Sequence, residues 1–335
     1  MNSARFAEIT SHYPRLRIGV VGDFCLDRYL EIDPARAEIS IETGLPVHNV
    51  TRVRSQPGAA GTIVNNLVAL GVGHIAIVGF FGEDGEGWEL ARALRGLRGV
   101  SLERFMQTPE RATFTYTKPL IVEPGANPRE LSRLDIKNWS PTPADLSARI
   151  AAHVIALADE VDAIVVMDQV GIDETGVVTK PVLDALARVA ERFPNLPILA
   201  DCRRGLGQFP PVIFKMNAAE LAKLTGASPE AAVLSAASLA EENGKPVIVT
   251  RAERGLLGAV PDGSTFQIPA WPLHGEIDVV GAGDSVTANV AAALAAGATL
   301  EEALKIASAA ASIVIHQLGT TGTATIPEIA RLLSA

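Results

Sequence analysis

Short apolar runs that stop at Asp, Asn or Gly recur along this chain, separated by segments of helical character, and they leave few folds open to it. Arg17 to Gly22 reads RIGVVG. His74 to Phe81, Asp162 to Met167, Leu196 to Ala200 and Val212 to Met216 repeat the form, and Pro246 to Thr250 is one more apolar run. Apolar runs of that length suit strands covered on both faces. Helical stretches fall between them, about Ala60 to Leu70 closed by Gly71, about Glu86 to Leu97, and Thr179 to Arg192. The alternation predicts an α/β fold with a central, mostly parallel sheet and helices on both faces. Hydrophobic residues fill 48% of the 335 positions but aromatics only 5%, so Ala, Val, Leu and Ile are expected to build the core.

Two stretches break the rhythm, about Arg28 to Arg54 and about Thr113 to Asp135. Both alternate apolar and polar residues without a helical period, as in TFTYTKPLIVE. They read as strands of a separate small antiparallel sheet inserted in one domain spanning 1–335, or else as further pieces of the main sheet.

Several function classes are disfavoured. The formal net charge is −9, from 29 basic and 38 acidic residues, without the basic cluster of a nucleic-acid binder. Cys25 and Cys202 form no CxxC pair and the six histidines no HExxH, so a disulfide framework and a zinc hydrolase are not expected. Each cysteine is expected to be a small buried residue beside a strand end. The first residues carry no apolar core of a signal peptide, and the apolar stretch Val286 to Ala296 is too short to span a bilayer. The expectation is a cytoplasmic protein without nucleic-acid or membrane partners. P-loop, GxGxxG and GxSxG patterns are all missing.

Polar residues at the strand ends, Asp23, Asp168, Asp201 and Asn217, fall where an open parallel sheet binds ligands. The segment DVVGAGDS, Asp278 to Ser285, precedes an Ala-rich helix closed by Gly297. Small residues at the start of a helix expose backbone N–H groups, and the helix dipole adds positive potential there. Asp284 in such a turn would repel a phosphate, a conflict that resolves if its carboxylate faces a hydroxyl while the N–H groups hold a phosphoryl group. The alternative is that Asp284 or Ser285 simply caps the helix.

With these motifs the chain resembles the ribokinase-like, or PfkB-type, carbohydrate kinases, from about Arg17 to Ile326. DVVGAGDS matches that family's C-terminal signature, and PGAAGTIVNNLVALG at Pro57 to Gly71 is similar to its substrate-site helix. GDFCLDRY at Gly22 to Tyr29 and LSRLD at Leu131 to Asp135 resemble the branch that phosphorylates heptose 7-phosphate. MNAAEL at Met216 to Leu221 matches an Asn-x-x-Glu motif and TRAERG at Thr250 to Gly255 a nucleotide-side turn. The resemblance implies a ribokinase-like domain whose irregular stretches form a β-sheet lid and a homodimer contact. It implies ATP and Mg²⁺ as cofactors and a sugar or sugar phosphate as acceptor. Asp284 would be the base, with Gly281, Ala282 and Gly283 in the anion-hole turn and N–H groups supplied by Ala282, Gly283 and Asp284. Asn217 and Glu220 would act near Mg²⁺-bound phosphates, Glu220 through water, and Thr250, Arg251 and Gly255 would lie along the nucleotide. Asp23, Asp27, Gly58, Ala59, Thr62 and Arg133 would meet the sugar. Asp278 and Val280 would border K⁺ where a monovalent cation is used.

The bland readings stay open beside these: Asp23 and Asp27 as turn or ion-pair residues, Asn217 and Glu220 as a capping box, Arg133 and Asp135 as a surface charge pattern. The chain also departs from the family where it has Gly58-Ala59 followed by Thr62, in place of Gly-Gly and Asn. Gln169-Val170-Gly171-Ile172 replaces a Tyr-Ala-Lys-Gly run, and Arg203 stands where that branch tends to have Lys. A nucleoside, fructose-phosphate or polyol kinase, or a non-catalytic ligand-binding homologue, are therefore alternatives to a heptose 7-phosphate-like acceptor.

Overall fold

The structure, a computed structural model, describes residues 1–334. Along the chain run α1 (Ser3–Ser11), β1 (Arg17–Gly22), β2 (Phe24–Ile32), β3 (Glu38–Ile39), β4 (Pro46–Val47), β5 (Val50–Ala59), α2 (Ala60–Ala69), β6 (His74–Gly82), α3 (Gly85–Arg95), β7 (Val100–Thr108), β8 (Thr115–Ile121), β9 (Arg129–Glu130), β10 (Leu134–Ile136) and α4 (Ala144–Leu157). They continue with β11 (Ala163–Asp168), α5 (Lys180–Arg192), β12 (Ile198–Cys202), β13 (Ile213–Asn217), α6 (Ala218–Thr225), α7 (Ala232–Asn243), β14 (Val247–Thr250), β15 (Leu256–Ala259), β16 (Thr265–Ile268), α8 (Ala282–Ala295), α9 (Leu300–Val314) and α10 (Ile326–Leu333).

The main sheet has nine strands in the order β16-β15-β14-β13-β12-β11-β1-β6-β7. From β14 to β7 every pairing is parallel, and β15 and β16 return antiparallel at one edge. Because side chains alternate across a strand, neighbouring residues feed opposite cores. On β1 Val20 joins one hydrophobic cluster and Val21 the other, and on β11 Val165 separates from Ile164 and Val166 in the same way. The first cluster is closed by residues of α2, α3, α8 and α9, the second by residues of α4, α5 and α7. Small side chains let α8 lie close to its neighbours, with every residue from Ser285 to Ala293 buried. Strand order reverses at the β1–β11 contact, the place where such sheets open a crevice beyond their carboxyl ends.

The two irregular stretches form their own sheet, β10-β8-β2-β5, with β9 added to β8. It is mixed rather than purely antiparallel, because β2 and β8 pair in parallel over Leu26–Ile32 and Thr115–Ile121. The cause is directional: β1 and β7 run the same way in the main sheet, and both chains leave it from the same end. β2 follows β1 after Asp23 alone, and it pairs antiparallel with β5, which returns the chain to α2.

Ala59, at the joint of β5 and α2, has φ 53° and ψ −117°, a conformation that a Cβ disfavours and glycine adopts freely. The strain of such a residue is of order 1–3 kcal/mol, partly offset by the greater unfolded-state freedom of glycine. Ala59→Gly is expected to raise stability by about 1 kcal/mol, measured by urea denaturation; a loss of stability would show that the joint is unstrained.

Candidate active site

The helix α8 starts at Ala282, earlier than its apolar stretch suggested, so Gly283 and Asp284 lie in its first turn. Gly281 precedes it with φ 82°, and its Cα faces Thr321, which a Cβ would approach to 3.2 Å. The expected trio of anion-hole donors is corrected by one: the Ala282 amide donates to Val279 O at 3.2 Å and is spent. Amides of Gly281, Gly283 and Asp284 have no acceptor among the described residues, so the turn offers a slightly different set of donors. The side chain of Asp284 does not cap the helix. It remains partly open to solvent, and its carboxyl is pushed up to about 7. Burial is the chief cause, opposed by Lys215 and Arg203 and reinforced by the negative charges of Asp201 and Asp27. Residues from β2, β12, β13 and α8 therefore share one electrostatic neighbourhood.

Asp27 is buried, and its carboxyl is raised by burial against the pull of Lys118 and Arg133. Lys118 Nζ lies 4.0 Å from Oδ1, and no hydrogen bond to the carboxylate is made among the described residues. Gly58 gives it room: a Cβ there would stand 2.6 Å from Asp27 Oδ2. Thr62, in the first turn of α2, is 1% exposed, and its hydroxyl has no partner among the described residues. An unsatisfied buried hydroxyl costs free energy unless something outside the chain pairs with it.

Asp23, expected to meet the sugar, has its carboxylate engaged by the backbone. It is fully buried, and its oxygens accept from the backbone N–H groups of Gln169 (2.9 Å), Val170 (3.2 Å) and Val177 (2.7 Å). A carboxylate at the end of β1 thus folds the segment after β11 against the crevice. Asp168 is also buried and is pushed up to about 7 by burial and by Asp23. It is paired with Arg204, which also reaches Asp173, and it accepts from Cys202 Sγ at 3.1 Å. Cys25 and Cys202 are both buried, within strands. Two of the strand-end acids therefore stabilise the crevice walls from within.

Asn217 and Glu220 form the capping box of α6. Asn217 Oδ1 accepts the Glu220 N–H at 2.9 Å, and Glu220 Oε2 accepts the Asn217 N–H at 2.7 Å. Asn217 is exposed and Glu220 partly so. Thr250 ends β14. The Arg251 N–H donates to Gly255 O at 2.8 Å, and the Arg251 guanidinium donates to Gln267 Oε1 at 3.0 Å and Arg254 O at 3.3 Å. Gly255, at φ 77°, is required, since a Cβ would strike Ile268 O at 2.1 Å. The Asp278 carboxylate is committed to the N–H groups of Val280 (3.0 Å) and Gly319 (3.2 Å), while the Val280 side chain is exposed.

Arg133 forms a two-pronged pair with Asp135 (2.7 and 2.8 Å), which also binds Lys137, and its guanidinium lies 4.9 Å over the Tyr116 ring. The expected surface charge pattern of Arg133 and Asp135 is thus present. Arg133, Lys137, Arg203, Tyr116 and Gln169 line a cavity of about 180 Å³ between the small sheet and the β11 end of the crevice. The Arg203 side chain is exposed and engages no acidic group among the described residues. Sequence reasoning missed Lys215, the charged residue in the otherwise apolar strand VIFKMN, which pairs with Asp201 at 2.6 Å. Its signal was available: a lysine is seldom buried unless paired.

Comparison with known proteins first defines the architecture. Ribokinase of Arabidopsis thaliana, solved with ribose and ATP, superposes with a TM-score of 0.69 at 20% identity, over 96% of this chain and 99% of that one. Phosphofructokinase-2 of Escherichia coli, solved with potassium, gives 0.70 at 18% identity, over 95% and 98%. The fold is ribokinase-like. Residues 201–327 match the pfkB family of carbohydrate kinases. The Bifunctional protein HldE of Rhodospirillum rubrum is 33% identical over 96% of this chain, and that of Azorhizobium caulinodans 31% over 90%. This chain spans 62% and 61% of their respective lengths. Among the described residues, no helix is long and apolar enough to cross a membrane.

Proposed function

We propose that this protein is a carbohydrate kinase that transfers the γ-phosphoryl group of ATP to a hydroxyl of a phosphorylated sugar, with a heptose 7-phosphate-like acceptor as the best reading. The observation that carries it is Asp284: a carboxylate raised to about 7, in the first turn of a helix whose neighbouring N–H groups are unspent. A base in that range is half ionised near neutrality and can take a hydroxyl proton. The acceptor oxygen bonds to the γ-phosphorus as the bond to the β-phosphate oxygen breaks, its electron pair leaving on ADP. The proton passes to Asp284, and the amides of Gly281, Gly283 and Asp284 receive charge on the transferring group.

The donor set suits the cofactors. Mg²⁺ usually takes one or two carboxylates besides phosphates and waters, and Glu220 offers an accessible carboxylate next to Asn217. Bound there, Mg²⁺ would neutralise phosphate charge. Thr250, Arg251 and Gly255 are assigned to the nucleotide side, and Asp278 with Val280 to the border of any K⁺. Asp27, Gly58, Ala59 and Thr62 are assigned to the sugar, in keeping with the unsatisfied Thr62 hydroxyl. The preference for a phosphorylated acceptor is supported by the cationic cavity at Arg133, Lys137 and Arg203. The small sheet is read as a lid and as the contact of a homodimer, since Val50, Val53 and Leu134 are exposed on it.

Asp284→Asn is expected to lower kcat by about 10²–10⁴-fold while ATP still binds. In the wild type, kcat/KM should fall about tenfold per pH unit below about 7, because protonation removes the base. A fully active Asn variant, tested on a panel of sugars and sugar phosphates, would exclude the mechanism. Arg203→Ala should raise KM for a phosphorylated acceptor by about tenfold and leave KM for ATP unchanged, the loss expected for one charge-assisted hydrogen bond. An equal effect on an unphosphorylated sugar would contradict the assignment. Sedimentation of the wild type should show a dimer and of Val53→Glu a monomer; a monomeric wild type would refute the contact.

A further inference from the structure

Beneath the turn that carries Asp284 lies an ammonium group with most of its hydrogen-bonding capacity unused. Lys215, on β13, is buried, with 8% of its side chain exposed. An ammonium carries three donors. One meets Asp201 Oδ2, at the end of β12, at 2.6 Å, and no other acceptor is engaged among the described residues. The ammonium also lies against the first turn of α8, since a Cβ built on Gly283 would stand 3.0 Å from Nζ. Thr287 ties the parts together: its hydroxyl is 3.1 Å from Gly283 O and 3.4 Å from Asp201 Oδ2. A carboxylate on one strand, a lysine on the next and a helix terminus thus hold a single positive charge beside the unspent amides.

Burying a charge is costly unless its donors find partners, and a pair built only for stability would be expected to satisfy more of them. Two free N–H donors at an anion-binding turn describe a group awaiting an anion. We infer that Lys215 is a catalytic residue whose ammonium, anchored by Asp201, binds oxygens of the transferring phosphoryl group from below the helix terminus. This inference rests on the phosphoryl-transfer reading and adds the cation that supports it. Lys215 keeps its proton throughout. It neither accepts the hydroxyl proton, which goes to Asp284, nor forms a bond to phosphorus, and its fixed charge meets negative charge as the β–γ bond breaks. Asp201, Asp284 and Glu220 hold it protonated, outweighing burial, which acts the other way. Asp201 is a positioning residue, since it acts through Lys215.

Lys215→Met leaves Asp201 buried without its partner, so the double variant Lys215→Met/Asp201→Asn is measured beside it, with Lys215→Arg as the conservative change. Both Met variants are expected to lose about 10²–10³-fold in kcat, as when one oxyanion donor is removed, with little change in KM for the sugar. Lys215→Arg should recover part of this. Binding gives an independent readout. The ratio of affinities for β,γ-imido-ATP and ADP should shift against the triphosphate by about tenfold in the Met variants, because only the γ-group reaches Lys215. A double variant that melts with the wild type and keeps kcat within about threefold would overturn the inference. So would an unchanged affinity ratio. A wild type that phosphorylates no sugar, while its affinity ratio still depends on Lys215, would sink the transfer reading and leave the cation assignment standing.

Discussion

The start of α8 stands between two demands. Its unspent amides attract an anion, yet Asp284 in the same turn is itself a carboxylate. Such a turn can hold both only if the carboxylate is free to lose its charge, or if a cation nearby balances it. Both conditions are met here. Burial and the acids Asp27 and Asp201 raise Asp284 to about 7, and Lys215 limits the rise. Removing the lysine from this set would leave three acids around a helix terminus whose amides are unspent.

The main sheet delivers these groups because its parallel strands end together. β12 brings Asp201, β13 brings Lys215 and Asn217, and β2 leaves the end of β1 with Asp27. Asp23 and Asp168 belong to the same row but turn inward. They bind the segment between β11 and α5, Asp23 through three backbone amides and Asp168 through Arg204 and Cys202. Strand-end acids in such a crevice thus divide into those that face the opening and those that hold its walls. The small sheet closes the other side, and its parallel β2–β8 pairing follows from both chains leaving the main sheet in one direction.

Much of the candidate site was legible because local chemistry names it. GAGD before an Ala-rich run announces an anion-binding helix start, and Asn217 with Glu220 announces a capping box, which the structure contains. The roles of individual groups were less legible. Nothing local tells that the Ala282 amide is spent on Val279 O, because the helix begins earlier than its apolar pattern implies. Asp23 and Asp27 are alike in sequence context, yet one carboxylate is consumed by backbone amides from a segment about 150 residues away, a contact that no local pattern encodes.

The alternation of buried strands with helices, the core of small aliphatic residues and the presence of an acid at the start of α8 were determined by the sequence alone. They follow from periodicity, propensity and turn chemistry, which act over a few residues. Only the tertiary structure decided which acids are structural, that Lys215 lies against Gly283, and that Arg133, Lys137 and Arg203 surround one cavity. Those facts depend on strand order and on the register of β12 against β13. Electrostatic coupling depends on distance in space, and the fold sets that distance with little regard to separation along the chain.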